Sequence, residues 1–157
     1  MEAMRGRGEI EVKQLGDLPL ADLAPLIEQS LAEGHAMIAR LRDEWLFGTN
    51  RFDRPGEALY AAYARGAMAG IGGRNIDPYA GDPRIARARH VYVLPAFRRH
   101  GVGQALMERI VGEARGRFAG IVLRTRNPEA AALYAALGFT PVAEETTTHR
   151  LALDRPA

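Results

Sequence analysis

The sequence contains no cysteine, which excludes disulfides, thiolate metal sites and a cysteine nucleophile. Ser30 is the only serine and has no glycine elbow around it, so a serine hydrolase is excluded as well. Histidine is also scarce, and its four copies are too dispersed for a metal cluster by spacing; they are His35, His90, His100 and His149. The sequence therefore predicts no metal site.

Long apolar runs are missing too. No stretch approaches the length of a membrane-spanning helix. The N-terminal residues lack the apolar segment of a secretory signal, and we expect residues 1–8 to form a flexible tail. A cytoplasmic location without membrane contact follows as the default expectation. A chain of 157 residues predicts one domain over 1–157 with a core of useful size.

Lysine is almost absent, since Lys13 is the only lysine among 21 basic residues. The formal net charge is +2, whereas the sequence pI is about 9.3. A preference for arginine suits phosphate recognition, because the guanidinium fork matches oxyanions. The arginines are scattered rather than grouped, however, which disfavours nucleic-acid binding.

Hydrophobic periodicity and turn residues predict an α/β domain. The predicted order is β-α-α-β-β-β-α-β-α-β-β, a mixed and mostly antiparallel sheet with flanking helices. The predicted segments are a strand at 9–15, helices at 17–34 and 35–47, a hairpin of 58–64 and 67–72, a strand at 91–94, a helix from 101, a strand at 120–125, a helix from 128, and strands at 139–142 and 146–153. Residues 74–87 are predicted to form a surface loop.

The first helix is the least regular of these elements. Its predicted apolar face carries Leu20, Leu23, Ala24, Ile27 and Leu31. Pro25 fits this helix poorly, unless the helix begins there with proline in its first turn.

The central segment of the chain, residues 89–104, combines a strand, a turn and a helix start. Val91–Val93 is rich in β-branched and aromatic residues, and Pro95 ends the strand. The basic, glycine-containing loop Arg98–Gly103 then lies at a helix N-terminus, where free N–H groups and the helix dipole attract anions. We expect a phosphate-bearing ligand at this loop.

Two common phosphate motifs do not fit the loop. A P-loop needs Gly-Lys-Ser/Thr, but Gly103 is followed by Gln104-Ala105. A dinucleotide fingerprint needs a third glycine where Leu106 stands, together with an acidic residue about 20 positions on.

Two other motifs are present in the second half of the chain. The first is a basic or Gln residue followed by x-x-Gly-x-Gly/Ala, present as Arg98-Arg99-His100-Gly101-Val102-Gly103 after a hydrophobic strand and a proline. The second is Asn-x-x-Ala-x-x-Leu-Tyr-x-x-Leu-Gly-Phe, present from Asn127 to Phe139. Taken together, they resemble the motifs of the GNAT-type N-acetyltransferases. The resemblance covers about Val91 to Phe139, and it implies a GNAT-like fold with acetyl-CoA as cofactor.

The resemblance also implies roles for individual residues. The backbone of Val91, Tyr92 and Val93 would face the pantetheine on a strand that splays from its neighbour, and the N–H of Val93 would serve the oxyanion. Tyr134 would protonate the departing thiolate, since a phenol near pKa 10 is protonated at neutral pH. The other implied cofactor-binding residues are Arg98, Arg99, His100, Gly101, Val102, Gly103, Gln104 and Asn127.

Each of these roles has a structural alternative. Tyr134 also fits a core tyrosine on the stripe with Leu133 and Leu137. Asn127 is in addition a good N-cap for a helix with Pro128 at its first position.

The general base is the point at which the chain departs from the family pattern. Members often carry a glutamate on the strand before the acetyl-CoA loop or on the next strand, and neither 84–93 nor 121–126 contains an acid. The open alternatives are His90, His35, Glu144, Glu145 and water.

The sequence therefore predicts an acetyl-CoA-dependent N-acetyltransferase that acts on a primary amine of a small molecule or protein. A GNAT-like module that binds CoA without transferring acetyl is the alternative, and a nucleic-acid-binding module is the least favoured. The acceptor should contact the least patterned segments, which are 35–56, 74–87 and 143–148. A homodimer is an open option.

Overall fold

The computed structural model describes residues 9–153, and the predicted tail at residues 1–8 lies outside this range. Its elements follow the predicted order. They are β1 Ile10–Gln14, α1 Leu20–Ala32, α2 Met37–Phe47, β2 Ala58–Ala64, β3 Ala67–Ile76, β4 Ile85–Val93, α3 Val102–Gly112, β5 Gly120–Leu123, α4 Pro128–Ala136, β6 Thr140–Pro141 and β7 His149–Ala152. A short 3₁₀ turn, Pro95–Phe97, joins β4 to α3.

The strands form one seven-stranded sheet in the order β1-β2-β3-β4-β5-β7-β6. Among the strands of residues 9–153, only β4 and β5 pair in parallel, and the other neighbours are antiparallel. A parallel pair needs a crossover connection, which α3 provides. The prediction of a mixed, mostly antiparallel sheet is confirmed.

The hairpin of β2 and β3 is joined by Arg65 and Gly66 alone. Both residues have positive φ, 54° and 80°. This is the pattern of a type I′ turn, whose twist matches that of the strands. A good turn thus offsets the poor strand propensity of the alanines in β2.

Helices cover the sheet on both faces, and each face has its own core. The face called here the α3 face is packed by the predicted stripe of the third helix and the turn after it, and every member of the stripe is buried: Val102, Leu106, Ile110, Ala114 and Phe118. The opposite face, called here the α2 face, is covered by α1 and α2. No helix in the described part of the chain is long and apolar enough to cross a membrane.

The predicted face of α1 was right for Leu23 and Ile27 and wrong for Leu20, Ala24 and Leu31. Leu20 and Leu31 are 45% and 52% exposed, and the buried residues are Leu23, Leu26, Ile27 and Ser30. The helix begins at Leu20, with Pro25 inside it. Proline has no N–H, so Pro25 leaves the carbonyl of Ala21 without its helical donor. The helix is oriented so that Ala21 and Pro25 are both exposed, and water can therefore bond to that carbonyl.

The predicted surface loop at 74–87 was also wrong at both ends, since only residues 77–84 connect β3 to β4. Its polar ends are buried in the sheet. Arg74 donates to the carbonyls of Gly56 and Ile110, and Arg87 pairs with Asp77 at 2.6 Å. Local polarity indicated exposure, but these partners make burial favourable.

Candidate active site

The two parallel strands separate at the centre of the sheet. β4 and β5 pair at three positions, from Ile85 with Gly120 to Arg87 with Val122. Beyond this point β5 ends at Leu123, while β4 continues to Val93. A wedge therefore opens beside the second half of β4, which agrees with the splayed strand that the sequence motifs implied.

The backbone of Val93 faces this wedge. The N–H of Leu94 donates to the carbonyl of Ala69 at 2.9 Å, on the β3 side. Peptide directions alternate along an antiparallel strand, and Val93 opposite Gly70 therefore directs its own N–H and C=O away from β3. The Val93 N–H is a free donor at the wedge.

β4 bulges just before these residues. Two residues, His90 and Val91, lie opposite Gly72 alone in the pairing with β3. His90 takes up the bulge with a φ of 61°, a conformation that a residue with a Cβ adopts only under constraint. The bulge thus alters the direction of the strand where it enters the wedge.

The ring of His90 is buried on the α2 face and lies edge-on to Phe52, with centroids 6.1 Å apart. Neither ring nitrogen has a hydrogen-bond partner in the described part of the chain. Burial, and then the charges of Arg89 and Arg40, lower the pKa of His90 to about 3, although the nearby Met37 backbone acts weakly in the opposite direction. His90 is neutral at physiological pH.

The loop before α3 is rich in free backbone donors. In the described structure, none of the N–H groups of residues 99–104 finds an acceptor. Arg99 and Gly101 have positive φ, 67° and 87°, and Gly101 is the N-cap of α3. Consecutive free N–H groups at the positive end of a helix dipole form an anion site.

Arg98 is held by protein groups at the edge of this loop. Its guanidinium donates to both carboxylate oxygens of Glu33, at 3.0 and 2.8 Å, and to the carbonyl of Val93 at 2.9 Å. Tyr92 donates its hydroxyl to the same Glu33 at 2.6 Å. The bonds from Arg98 and then Tyr92 lower the pKa of Glu33. The side chain of Arg98 thus fixes the Val93 peptide and links α1 to β4.

The second motif forms the start of α4. Asn127 caps the helix by accepting from the N–H of Glu129 at 2.9 Å, as predicted. Tyr134 is the buried residue of this helix, while Leu133 and Leu137 are only partly buried. A Cβ on Gly103 would lie 3.4 Å from Leu133 and 3.8 Å from Val93, so the fold brings both motifs to the end of β4.

The Tyr134 hydroxyl has no hydrogen-bond partner among the residues described. Its ring packs against Phe139 and His149, with centroids 5.9 and 6.2 Å apart. Burial raises the pKa of Tyr134 to about 12. The phenol is therefore protonated and free to donate.

The other candidates for a base are less well placed. His35 and Glu145 are exposed. Glu144 is exposed as well and pairs with Arg150 at 2.8 Å. Of the four side chains considered from the sequence, only His90 is buried beside the wedge.

Three polar residues that the sequence analysis did not single out lie on the α2 face, although Asn50 and Asn75 belong to segments that it predicted to contact the acceptor. Asn50 and Asn75 exchange amide hydrogen bonds of 2.9 and 3.0 Å, and Arg89 lies beside Asn75 in the same cavity. The available signal was the run Arg87-Ala88-Arg89, whose alternation places both arginines on one face of a strand.

A family model for the acetyltransferase (GNAT) domain matches residues 55–141, which includes both motifs. No curated protein matches the chain. A solved structure from Exiguobacterium sp. 255-15, assigned as an acetyltransferase, is 31% identical, with a TM-score of 0.81 over 91% of this chain and 93% of its own.

More distant solved structures share the fold. One is yncA from Salmonella typhimurium, assigned as an acetyltransferase and solved with its cofactor acetyl-CoA, at 20% identity and a TM-score of 0.67 over 96% of this chain and 97% of its own. Another is the ribosomal-protein-S18-alanine N-acetyltransferase from Escherichia coli, at 19% identity and a TM-score of 0.66 over 94% and 96%. With a family model that matches more than half of its residues, this chain belongs to the GNAT acetyltransferase family, whose cofactor is acetyl-CoA.

Proposed function

We propose that this protein transfers the acetyl group of acetyl-CoA directly to a primary amine of a small molecule or protein. The wedge between β4 and β5 carries the proposal, because it joins a free N–H at Val93 to the unpaired N–H groups of residues 99–104. A free N–H on a strand edge, followed by an anion site at the next loop, suits a ligand that has both an amide-containing arm and a pyrophosphate.

The residues present fit such a ligand. Residues 99–104, with His100 and Val102 contributing backbone, would hold the pyrophosphate, and the free edge of Val91–Val93 would pair with the pantetheine arm. Asn127 would contact the arm near the start of α4. Arg98 would act through the Val93 peptide, since Glu33 already engages its guanidinium and its own N–H donates to the carbonyl of Pro95.

Acetyl-CoA supplies an activated acetyl thioester, and the chain has to manage charge and protons. The N–H of Val93 would stabilise negative charge that develops on the acetyl oxygen. Tyr134 would give its proton to the leaving sulfur, which its high pKa and unpartnered hydroxyl support. The absence of cysteine agrees with transfer that needs no thiol nucleophile.

His90 is the side chain we assign to the amine proton. It is neutral, both of its ring nitrogens are unused, and it directly precedes Val91–Val93, the part of β4 that lines the wedge. A histidine with a pKa of about 3 is a weak base, and proton removal therefore depends on a bound acceptor changing the surroundings of the ring.

A CoA-binding module without transferase activity is the second candidate. The observation that favours it is the lack of any acidic side chain on β4 or β5, where members of the family often carry their base.

The test has two parts. Calorimetric titration of acetyl-CoA into the protein should give saturable binding, and its absence at millimolar cofactor would reject both candidates. An assay of thiol release across a panel of primary amines should then show turnover above the hydrolysis rate. Tight binding without turnover on any amine would favour the module.

A further inference from the structure

A cavity of about 350 Å³ opens on the α2 face, beside the bulge of β4. Its walls come from the end of α2 and the loop that follows, and its floor includes Asn75 of β3 and Arg89 of β4. A volume of this size suits a small organic molecule. The cavity is distinct from the anion loop at α3, since none of its lining residues belongs to that loop.

Arg89 differs from the other arginines of the two central strands. Arg74 donates to two backbone carbonyls, and Arg87 is paired with Asp77 and bonded to Thr147. Arg89 is half-buried, and its one hydrogen bond within residues 9–153 is a long one, of 3.4 Å, to the amide oxygen of Asn75. Within residues 9–153 it has no carboxylate partner, which is an unusual condition for a partly buried guanidinium.

The surroundings of His90 carry the same sign of charge. Arg89 and Arg40 of α2 both disfavour protonation of the ring. Arg40 is exposed and also has no ion pair in the described part of the chain. Two unpaired cations therefore flank the histidine beside the wedge.

The acidic residues near the cavity do not neutralise Arg89. Glu57 accepts from the N–H groups of Arg54 and Ile76, so its carboxylate organises the loop. Asp53 and Glu44 line the cavity as well, but neither comes within ion-pair distance of Arg89.

From this charge pattern we infer that the acceptor is a small amine that also carries a carboxylate, and that Arg89 binds this carboxylate. The amide oxygen of Asn75 accepts from the guanidinium and so holds it in position. The inference rests on the proposed function and names the class of its acceptor. The guanidinium fork presents paired donors that match a carboxylate. The arginines that scatter along the sequence thus include one with a specific ligand role.

Spacing along β4 limits the shape of the acceptor. Arg89 and Val93 are four positions apart, roughly 12 Å at the rise of a strand, and the bulge and the length of the arginine side chain shorten the gap to be spanned. An acceptor whose amine and carboxylate are separated by several bonds fits this gap better than an α-amino acid. Its carboxylate would also offset the cationic surroundings of His90, which favours removal of the amine proton.

The experiment compares matched pairs of acceptors. The probes are glycine, 4-aminobutanoate and 6-aminohexanoate, each with its carboxamide analogue, assayed by thiol release with saturating acetyl-CoA. We expect kcat/KM to be about 10-fold or more higher for the carboxylate member of the longer pairs, as for other charged hydrogen bonds. Equal kcat/KM within every pair would overturn the inference.

Variants locate the effect. Arg89→Gln should abolish the preference for the carboxylate, mainly through a higher KM for the carboxylate member of each longer pair. Arg115→Gln, at an exposed position after α3, is the charge-matched control and should retain the preference. A preference that survives in Arg89→Gln, or an equal loss on both members of a pair, would contradict the assignment.

A binding measurement separates this inference from the proposed function. Titration of 6-aminohexanoate and its carboxamide into the protein with CoA, followed by NMR shift changes, should show binding of the carboxylate only, lost in Arg89→Gln. Selective binding without turnover would reject the transferase and retain the anion site. Turnover of amines with no selectivity in binding or kcat/KM would reject the anion site and retain the transferase.

Discussion

Burial keeps two titratable side chains neutral at ordinary pH, Tyr134 on α4 and His90 on β4. The phenol of Tyr134 has its pKa raised to about 12, and the imidazole of His90 has its pKa lowered to about 3. Both shifts have burial as their largest cause, since a low-dielectric environment disfavours the charged form of either group. One group is thus a proton donor with a free hydroxyl, and the other is an acceptor with free nitrogens.

Tyr134→Phe tests the proton donor. The change removes a hydroxyl that has no partner in the described structure, so the fold should be retained. We expect kcat to fall by roughly 100-fold or more, with an unchanged Kd for acetyl-CoA by calorimetry. Because the pKa of Tyr134 is about 12, its ionisation should not lower kcat between pH 8 and 9. A turnover equal to that of the unmodified protein would reduce Tyr134 to a core residue.

His90→Asn tests the buried imidazole through stability. The unfolded chain, with an ordinary histidine pKa near 6.5, binds more protons than the folded one between pH 3 and 6.5, so stability rises with pH in that window and falls on acidification. Between pH 7 and 5 the unmodified protein should lose about 1–2 kcal/mol more than His90→Asn, measured by urea unfolding.

The exposed His35 supplies the control for that measurement. His35→Asn, at an exposed position, is the matched substitution, and the difference between the two variants isolates the effect of burying the imidazole. Parallel stability curves for the unmodified protein and His90→Asn would contradict the burial of a neutral imidazole.

At the scale of elements, the start of α3 combines a helix dipole with a loop that cannot satisfy its own N–H groups. Gly101 takes the left-handed conformation at the N-cap of α3. Leu133 of α4 packs close to Gly103 in the first turn of α3. An anion at this position replaces the missing acceptors. Backbone strain and the proposed ligand binding would therefore be coupled in the same turn.

Gly101→Ala and Gly116→Ala separate these two effects. The two glycines have φ of 87° and 85°, and an added Cβ on Gly116 meets nothing within 4 Å. Each substitution should cost about 1–2 kcal/mol of stability for the left-handed backbone, by thermal or urea unfolding. Only Gly101→Ala should also weaken acetyl-CoA binding. Equal affinity in both variants would argue against the loop as the cofactor site.

At the scale of the whole molecule, the sheet separates two kinds of surface. The α3 face holds the larger apolar core and the helix that begins at the anion loop. The α2 face adds a polar region to its core, with the Asn50–Asn75 pair, Arg89 and His90. The wedge between β4 and β5 lies between the two surfaces, so a cofactor and an acceptor can approach it from different sides.

Gly73→Ala tests how tightly the α2 face is packed. A Cβ at Gly73 would lie 2.6 Å from the ring of Phe52 and 3.0 Å from the carbonyl of Ala58, so we expect a loss of about 1–3 kcal/mol. Gly112→Ala, on a helix with nothing within 4 Å, should instead be neutral or stabilise by up to about 1 kcal/mol. Urea unfolding measures the stability of both variants. An unchanged stability of Gly73→Ala would show that the loop carrying Phe52 moves to make room for the added methyl group.

The amino-acid sequence by itself determined the order of the elements, the stripe of α3, the Asn127 cap and the two motifs of the wedge. Each of these depends on residues close together in the chain, such as a period of 3.6, a capping side chain or a two-residue turn. Local physics is sufficient there, and the structure agrees.

The tertiary structure alone decided which partners meet across long separations. The Glu33 that engages Arg98 is 65 residues away, and the exposed side of α1 follows from Pro25 and from the docking of the helix on the sheet. Tertiary structure also decided that the ring nitrogens of His90 lack hydrogen-bond partners and that Arg89 has no ion-pair partner within residues 9–153. Burial and ion pairing depend on which distant segments pack together. Sequence motifs therefore predicted the cofactor site, whereas the packing of α2 on the sheet shaped the proposed acceptor site.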